Sequence, residues 1–329
     1  MKKRKLREIE VSAIGMGCMG FHHGYGAIPT EAESIKMIQY AYDKGCTFFD
    51  TAENYGPFLN EELLGKAVKP FRDKVVIATK FSPFLQPGQT AKEKLSKDGI
   101  REAVEGSLKR LQTDYIDLYY EHRVPLDSDV ESVATWIGEL IKEGKIRGWG
   151  QSQSNVEQIK KAHAITPLSA IQSEYSIMER MFEKDVIPTC KELNIGFVPF
   201  SPLASGFLSG KYDKNTKYSG DDVRLAITRF KPENIEKNLP LLDLLNDVAK
   251  SKNSTPAQIS LAWMLHKYDF LSPIPGMRKF ERIDENLGAT DIVLCADEFN
   301  QIEAELAKIT IYGNRTDEDI QNMGYVKAQ

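Results

Sequence analysis

Short runs of β-favouring residues alternate with amphipathic helical patterns along the chain, and this alternation limits the possible folds more than any other feature. We predict strands at residues 13–17, 47–50, 75–79, 115–121, 145–152, 170–174, 196–200 and 271–275. Eight short strands alternating with helices are typical of an α/β fold of the (β/α)8, or TIM, barrel type. The strands of such a barrel are parallel, so their carboxyl ends open on one face.

A doubly wound parallel sheet is the competing architecture, because it also alternates strands with helices. It is disfavoured because no glycine-rich GxGxxG motif follows a strand. The chain contains no evident linker and no repeat of fixed period, so we predict a single domain over residues 1–329. Residues 5–12 predict a short hairpin that caps the barrel. Residues 203–238 predict a long polar loop after strand seven, which we expect to be a mobile flap.

The charge and cysteine content exclude several classes of protein. A net charge of −4 without a basic stripe argues against a nucleic-acid partner. The chain lacks the run of roughly 18 uncharged apolar residues that a membrane span needs, and no apolar run follows the basic residues 1–7 as in a secretory signal. Cys18, Cys46, Cys190 and Cys295 have no paired spacing, which indicates reduced thiols. We therefore expect a cytoplasmic protein.

Side chains with acid–base chemistry follow three of the predicted strands. Asp50 ends strand two, Tyr55 follows it in the next loop, Lys80 ends strand three and His122 ends strand four. Taken singly, each could be a turn, cap or surface residue. At the carboxyl ends of barrel strands, however, all four would converge on one pocket. A lysine favours the phenolate of a nearby tyrosine, and a carboxylate holds that lysine in place, so the set is suited to donating a proton to a carbonyl oxygen.

The motifs that carry these residues resemble the active-site tetrad of the aldo-keto reductases. Asp50 and Tyr55 lie five positions apart, Lys80 lies in Ala-Thr-Lys-Phe, and His122 lies in Leu-Tyr-Tyr-Glu-His-Arg-Val. The resemblance implies a barrel that binds NADPH without a Rossmann fold and transfers its hydride to an aldehyde or ketone. It makes Tyr55 the general acid with a pKa lowered by Lys80, which Asp50 anchors, while His122 orients the carbonyl.

The second half of the chain supplies features that suit a cofactor. Arg278, Lys279 and Arg282 lie close together after strand eight, at the opening of a predicted helix, which indicates an anion site. Because Arg278 and Arg282 are four positions apart, we expect both to face one side of that helix and to bind the 2′-phosphate of NADPH. A solvated charged face is the alternative, and Glu281 and Glu285 leave open an acid that reads the ribose of NADH.

The resemblance also implies contacts along the rest of the dinucleotide. Ser152 and Gln172 would hold the carboxamide, and Phe200 would lie against the nicotinamide ring, where the family often has tyrosine. Gln153 stands where the family often has asparagine. Other residues would contact the pyrophosphate, the 2′-phosphate and the adenine. The full set of expected cofactor-binding residues is Gly17, Cys18, Met19, Ser152, Gln153, Gln172, Phe200, Ser201, Leu203, Ser205, Gly276, Arg278, Arg282, Glu285 and Asn286.

The substrate is less well constrained by the sequence. Met19, Phe21, Tyr25, Phe84 and the segment after His122 would line its pocket, which suggests a small hydrophobic or aromatic carbonyl compound. The physiological carbonyl, the reaction direction and the oligomeric state stay open.

Two other functions are compatible with parts of this pattern. One is an NADPH-binding regulatory or sensor subunit with incidental reductase activity. The other is an unrelated barrel hydrolase or isomerase, which would need metal ligands or paired carboxylates at strand ends. The adjacent His22 and His23 could ligate a metal, but no cysteine or acid follows at ligand spacing, so we predict no metal site.

Overall fold

The structure is a computed structural model, and it describes residues 1–81 and 91–315. The strands are β1 (Lys3–Leu6), β2 (Ile9–Ser12), β3 (Met16–Gly17), β4 (Phe48–Asp50), β5 (Val76–Phe81), β6 (Ile116–Glu121), β7 (Ile146–Ser152), β8 (Ala170–Glu174) and β9 (Gly196–Phe200). The α-helices are α1 (Glu31–Asp43), α2 (Leu59–Val68), α3 (Ala91–Lys94), α4 (Lys97–Leu111), α5 (Val130–Lys142), α6 (Val156–Ile165), α7 (Val186–Glu192), α8 (Pro232–Lys237), α9 (Leu239–Ser251), α10 (Pro256–Lys267), α11 (Phe280–Gly288) and α12 (Ala296–Leu306).

Strands β3 to β9 form one parallel sheet in chain order, and this sheet curls into a nearly closed barrel. The predicted barrel class is thereby confirmed. Strands six and seven of the prediction coincide with β8 and β9. The predicted capping boxes are also present, at Thr30 for α1 and at Thr255 for α10.

Residues 271–276 close the barrel between β9 and β3, although they form only isolated bridges and no regular strand. The N–H groups of Ser272 and Ile274 donate to carbonyls of β9. On the other side, the carbonyls of Pro273 and Pro275 accept from the N–H groups of residues 15 and 17. Because proline has no N–H group, Pro273 and Pro275 accept hydrogen bonds but cannot donate any. This side therefore has only half of the hydrogen bonds of a regular parallel strand pair. The prolines of the closing segment therefore explain why the eighth strand is irregular.

The side chains of the sheet separate into two cores. A small cluster fills the barrel interior, and it includes Phe48 of β4, Ala78 of β5, Ala170 of β8 and Val198 of β9. A larger cluster lies between the sheet and the surrounding helices. Because side chains alternate along a strand, the residue two positions after each interior residue also points inward. That residue lies at the carboxyl end of its strand, where the functional side chains are found.

The antiparallel hairpin β1–β2 packs on the opposite, amino-terminal end of the barrel. Leu6, Ile9 and Val11 are buried within the interior cluster, so the hairpin plugs the barrel floor as predicted. A Cβ atom at Gly196 would lie 2.5 Å from the Cα of Leu6, which shows how closely the hairpin approaches the sheet.

Three details of the sequence prediction are wrong. The first barrel strand is only Met16–Gly17 rather than residues 13–17. The helix after the closing segment begins at Phe280, so Arg278 precedes it and does not share a helical face with Arg282. The long segment after β9 is not simply polar: it contains short 3-10 helices and α8, and it buries Phe207, Leu208 and Phe230. Its tertiary contacts were not visible in its composition.

Among the helices of residues 1–81 and 91–315, none has the length and apolar character needed to cross a membrane.

Candidate active site

A cavity of about 900 Å³ opens at the carboxyl end of the barrel. It lies within the size range of small-molecule binding pockets. Three of the four predicted catalytic residues line it, and the fourth, Lys80, lies buried beneath them. The expected cofactor-binding residues that also line it are Gly17, Met19, Ser152, Gln153, Gln172, Phe200, Ser201, Ser205 and Gly276.

An ion pair between Lys80 and Asp50 forms the floor of the cavity. Strand alternation points both side chains into the barrel, and Nζ of Lys80 lies 2.5 Å from Oδ1 of Asp50. Lys80 also donates to the carbonyl of Thr51 at 2.6 Å, and Gln172 donates to the second carboxylate oxygen at 2.7 Å. Both charged groups are almost fully buried. The carboxylate and the ammonium are therefore held by specific hydrogen bonds instead of water.

Burial acts on both members of this pair in opposition to their mutual attraction. Burial lowers the pKa of the Lys80 ammonium, whereas Asp50 and Tyr55 together raise it by a larger amount, so the pKa lies above its ordinary value. Burial raises the pKa of the Asp50 carboxyl, while Lys80 and Gln172 oppose that rise. We therefore treat Lys80 as a cation at neutral pH.

The loop between β4 and α2 places Tyr55 above the ion pair. The carbonyl of Tyr55 accepts from the N–H of Asn60, and Asn60 in turn accepts from the hydroxyl of Thr51 at 2.6 Å. Nζ of Lys80 lies 5.1 Å from the centroid of the Tyr55 ring. The ring of His122 stands edge-on to that of Tyr55, with 6.0 Å between centroids. The structure thus brings together the four residues predicted from three strand ends.

The protonation of Tyr55 differs from the sequence expectation. Burial raises the pKa of its phenol above the ordinary value, and the charge of Lys80 is the strongest influence that lowers it. Lys80 does lower the pKa of Tyr55, as expected, but desolvation of the phenol in the barrel mouth raises that pKa by a larger amount. Tyr55 is therefore a neutral phenol at neutral pH, and its proton is available for donation.

His122 is also neutral. Burial lowers the pKa of its imidazole well below the usual range, and the charges of Lys80 and Arg123 lower it further. Nδ1 of His122 is buried and has no hydrogen-bond partner among the described residues. A neutral imidazole carries one N–H donor. His122 can therefore donate a hydrogen bond next to Tyr55 without adding charge.

The other half of the cavity is lined in part by a backbone turn of unusual conformation after β9. After β9, Ser201, Ala204 and Ser205 all have positive φ angles of 47°, 48° and 54°. Non-glycine residues rarely adopt this conformation, and here Ala204, Ser205 and Gly206 adopt it in succession, while the N–H groups of Ala204 and Gly206 donate to the carbonyls of Ser201 and Leu203. Tyr25, from the loop after β3, lines the cavity as well; burial raises the pKa of its phenol, and the nearby Ser205 and Ser201 oppose that rise. Ser201 and Ser205 line the same cavity as Asp50, Tyr55 and His122.

The remaining expected cofactor residues lie outside the cavity lining. Cys18 is buried and its N–H donates to the carbonyl of Asp50, while Leu203 is partly buried at the start of the 3-10 turn Ala204–Ser209. Arg282 pairs with Glu285 on α11. Asn286 is buried, and its Oδ1 has no partner among the described residues.

Arg278 has a different environment from the one expected. Its guanidinium donates to the carbonyls of Gly20, Tyr25 and Ala27, at 3.3, 2.9 and 2.9 Å. Arg278 thus ties the loop after β3 to the segment before α11.

The segment after His122 lines the cavity as expected, from Arg123 to Asp127, and Arg315 is among the lining residues that the sequence analysis missed. Arg123 directly follows His122, and Arg315 comes from the last described segment of the chain. No local pattern connects Arg315 to the barrel mouth, because tertiary contacts alone bring it there. Of the expected pocket walls, Met19 and Tyr25 line the cavity, Phe21 is buried, and Phe84 lies outside the described residues.

Comparison with known proteins agrees with this geometry. Residues 13–307 match the family model of the aldo/keto reductase family. A soybean (Glycine max) protein named probable aldo-keto reductase 1 is 40% identical over 294 residues, which cover 89% of this chain and 85% of the relative.

Solved structures give the same result. A glycerol dehydrogenase from Gluconobacter oxydans superposes with a TM-score of 0.84 at 25% identity, covering 94% of this chain and 96% of the other. An aldo/keto reductase from Klebsiella pneumoniae, solved in complex with NADP and acetate, gives a TM-score of 0.73 at 28% identity, covering 96% and 99%. An aldo-keto reductase from the same organism, solved with NADPH, gives 0.72 at 27% identity, covering 96% and 98%.

A buried carboxyl next to His122 gives a prediction about pH and stability. Burial raises the pKa of Glu121 from its ordinary value of 4.5 to about 7, although hydrogen bonds from Ser128 and Gln151 lower it. The folded protein therefore binds this proton more tightly than the unfolded chain, and stability is lost as pH rises from 4.5 to 7. Glu121→Gln should remove that loss. The free energy of unfolding of the variant minus that of the parent should therefore be about 2–3 kcal/mol larger at pH 8 than at pH 5.

The measurement is the free energy of unfolding in urea at both pH values, with Glu62→Gln on the exposed face of α2 as a control. Gln151 can accommodate the introduced amide, because its own Oε1 has no partner in the described structure and can turn toward it. The same pH dependence in parent and variant would show that Glu121 is already ionised at low pH.

Proposed function

This chain belongs to the aldo/keto reductase family, and from that premise we propose that it reduces the carbonyl group of a small aldehyde or ketone with NADPH, using Tyr55 as the proton donor. One observation carries the proposal. A neutral Tyr55 phenol lies above the buried Lys80–Asp50 pair and beside a neutral His122, in a cavity that extends to the turn after β9. This arrangement supplies a proton and a stabilising charge at one point.

Each of the four residues has a role that follows from its surroundings. Tyr55 holds its proton until a substrate oxygen accepts it, because burial raises the pKa of the phenol. Lys80 stabilises the phenolate that remains, and Asp50 keeps the ammonium in position. His122 offers its N–H to the same carbonyl oxygen, and being neutral it does not compete as an acid. Asp50 and Lys80 are almost fully buried, so solvent screens their electrostatic effects only weakly.

The residues present fit a nicotinamide dinucleotide. When bound, NADPH supplies the hydride that reduces the carbonyl carbon. Phe200 offers a ring face for the nicotinamide, Ser152 and Gln172 are paired on neighbouring strands for the carboxamide, and the hydroxyl groups of Ser201 and Ser205 in the turn after β9 could donate to the pyrophosphate. The partnerless Oδ1 of Asn286 suits an adenine amino group.

The 2′-phosphate is proposed to bind near α11. Arg282 is paired with Glu285, and an incoming phosphate dianion would compete with that carboxylate for the guanidinium. Arg278 would contribute from the segment before the helix, where it now holds three backbone carbonyls. The two arginines would act from different elements rather than from one helical face.

Tyr55→Phe should lower the rate of carbonyl reduction by about 10²–10⁴-fold, the size of a general-acid contribution, because only the transferable proton is lost. The affinity for NADPH should be unchanged. We would measure kcat with NADPH across aldehydes, ketones, quinones and sugars, and cofactor binding by fluorescence. Tyr312→Phe, at the protein surface, is the matched control. Near-normal rates in Tyr55→Phe would contradict the assignment, and cofactor binding without turnover of any carbonyl by the parent would favour a sensor subunit.

Arg282→Ala should raise the KM for NADPH by about 10- to 100-fold, because charge-assisted hydrogen bonds to the 2′-phosphate are lost at a partly exposed site. The KM for NADH should change little, since its 2′-hydroxyl offers these cations nothing comparable. Steady-state kinetics with the two cofactors therefore contain their own control. An equal loss for both cofactors would mean that Arg282 holds α11 or the adenine instead of the phosphate.

A further inference from the structure

One wall of the cavity is a short segment that follows the end of β6. This wall segment comprises Arg123–Asp127, and all of its residues line the cavity. At its start, the N–H of Val124 donates to the carbonyl of Ser152 at 3.0 Å. In its middle, the side chain of Gln158 on α6 donates to the carbonyl of Pro125 at 2.7 Å. Both of these hydrogen bonds join uncharged groups, so a change of pH does not alter them.

The far end of the wall segment is held by an ionisable side chain. The hydroxyl of Ser128 donates to Oε1 of Glu121 at 2.8 Å, and the N–H of Ser128 donates to the carbonyl of Pro125 at 3.1 Å. Glu121 is the last residue of β6, and strand alternation points its side chain to the side of the sheet opposite His122 and the cavity. Glu121 therefore holds the wall segment from behind the sheet.

The surroundings of Glu121 suit a neutral carboxylic acid. The side chain is completely buried, and it accepts from the hydroxyl of Ser128 and from the amide of Gln151, which lies 3.3 Å from Oε2. Oε1 of Gln151 is buried and has no hydrogen-bond partner among the described residues. A neutral carboxyl group has a proton to donate to this oxygen when the amide turns, whereas a carboxylate has none.

Among the described residues, no cation pairs with Glu121. The influences on its pKa are burial, Ser128 and Gln151, and burial raises that pKa to about 7. The charged groups on its own strand and on the elements beside it are engaged elsewhere: His122, Arg123 and Asp127 line the cavity, Lys80 of β5 pairs with Asp50, Arg147 of β7 pairs with Asp117, Asp129 caps α5, and Glu157 of α6 pairs with Lys161. Ionisation of Glu121 would therefore bury an uncompensated charge.

Proton binding to Glu121 thus favours the closed position of the wall segment. If the segment moves away, water reaches the carboxyl group, and its pKa returns toward the ordinary value of 4.5. Between pH 4.5 and about 7, the closed form holds the proton and the open form does not, so opening becomes more favourable by about tenfold per pH unit. Above that range both forms are ionised, and the effect levels off.

We propose that Glu121 is a positioning residue for the carbonyl substrate: as a neutral acid it holds the wall segment in place through Ser128, and its ionisation releases that segment. Of the three anchors described above, only this one responds to pH. The inference rests on the proposed carbonyl reduction for its kinetic consequence. Release of the wall segment, however, can be measured without turnover.

Hydrogen exchange tests the release of the wall segment directly. Mass spectrometry would follow the backbone amides of Val124 and Ser128, with the chemical exchange rate at each pH divided out. From pH 5 to pH 8 their protection should fall by about 10²-fold in the parent. It should stay constant in Glu121→Gln, whose amide can replace the hydrogen bonds of the neutral acid and cannot ionise. Glu131→Gln, at an exposed position of α5, is the matched control and should behave like the parent.

Two results of the exchange experiment would overturn the proposal. One is the same pH dependence of protection in the parent and in Glu121→Gln. The other is a wall segment that exchanges only as fast as β4, because the whole barrel would then have to unfold before the segment opened.

Steady-state kinetics test the consequence for the substrate. With 4-nitrobenzaldehyde as an uncharged probe, the KM of the parent should rise by about 10-fold from pH 5 to pH 8, as expected if the closed form falls to about a tenth of the population. The Kd of NADPH should not follow this profile, and the KM of Glu121→Gln should stay nearly constant. A constant KM in the parent, despite a wall segment that opens with pH, would overturn the positioning role.

Variants of Ser128 test the path from the carboxyl group to the wall segment. Ser128→Ala should raise the KM at pH 5 toward the parent's value at pH 8, because the segment loses its link to Glu121 without any change of charge. Ser128→Thr keeps a hydroxyl group and should retain the parent's pH dependence. A Ser128→Ala enzyme with the parent's KM at both pH values would contradict the path through Ser128, and with it the proposal.

The exchange experiment also separates this proposal from the proposed reaction. A loss of protection that depends on Glu121 would support release of the wall segment even if no carbonyl were reduced. Rapid reduction by a protein whose wall segment has pH-independent protection would overturn the proposal and leave the proposed reaction intact.

Discussion

The ion pair between Lys80 and Asp50 inside the barrel is the interaction on which the rest of the site depends. Two charges taken out of water are stable only when each is fully hydrogen-bonded, and here Thr51 and Gln172 complete the set. Loss of either charge would leave the other uncompensated, at a cost on the order of 3–5 kcal/mol. The pair therefore fixes three strands relative to one another. It also supplies the positive charge that keeps the buried Tyr55 phenol able to release its proton.

The barrel makes this pair possible by alternation and closure. Interior residues of β4 and β5 are followed two positions later by Asp50 and Lys80, and β8 places Gln172 in the same way. Closure by residues 271–276 brings Gly17 and Gly276 side by side at the edge of the cavity. The hairpin β1–β2 occupies the opposite end, so polar groups can be concentrated at the carboxyl end of the barrel while the amino-terminal end stays apolar. The same strand registers thus close the barrel and position the catalytic side chains.

Much of this architecture could be predicted from the sequence, because alternation and strand-end chemistry are local properties. The barrel, strands β8 and β9, and the family were all predicted correctly. The failures involve tertiary effects. Arg278 binds backbone carbonyls of a distant loop, burial reverses the net pKa shift of Tyr55, and Arg315 reaches the cavity from a segment with no barrel pattern. The single-domain extent over residues 1–329 and the cytoplasmic location stay predictions from the sequence.

The most direct test of the central claim is the rate of the chemical step in Lys80→Met, measured under single-turnover conditions across pH. Methionine fills much of the same space but removes the charge, so Tyr55 would lose the cation that stabilises its phenolate. We predict a rate reduced by at least about 10²-fold, the scale of a general-acid contribution, with the affinity for NADPH retained. A Lys80→Met protein that keeps the parent's rate and pH profile would contradict the claim that the buried ion pair drives proton donation.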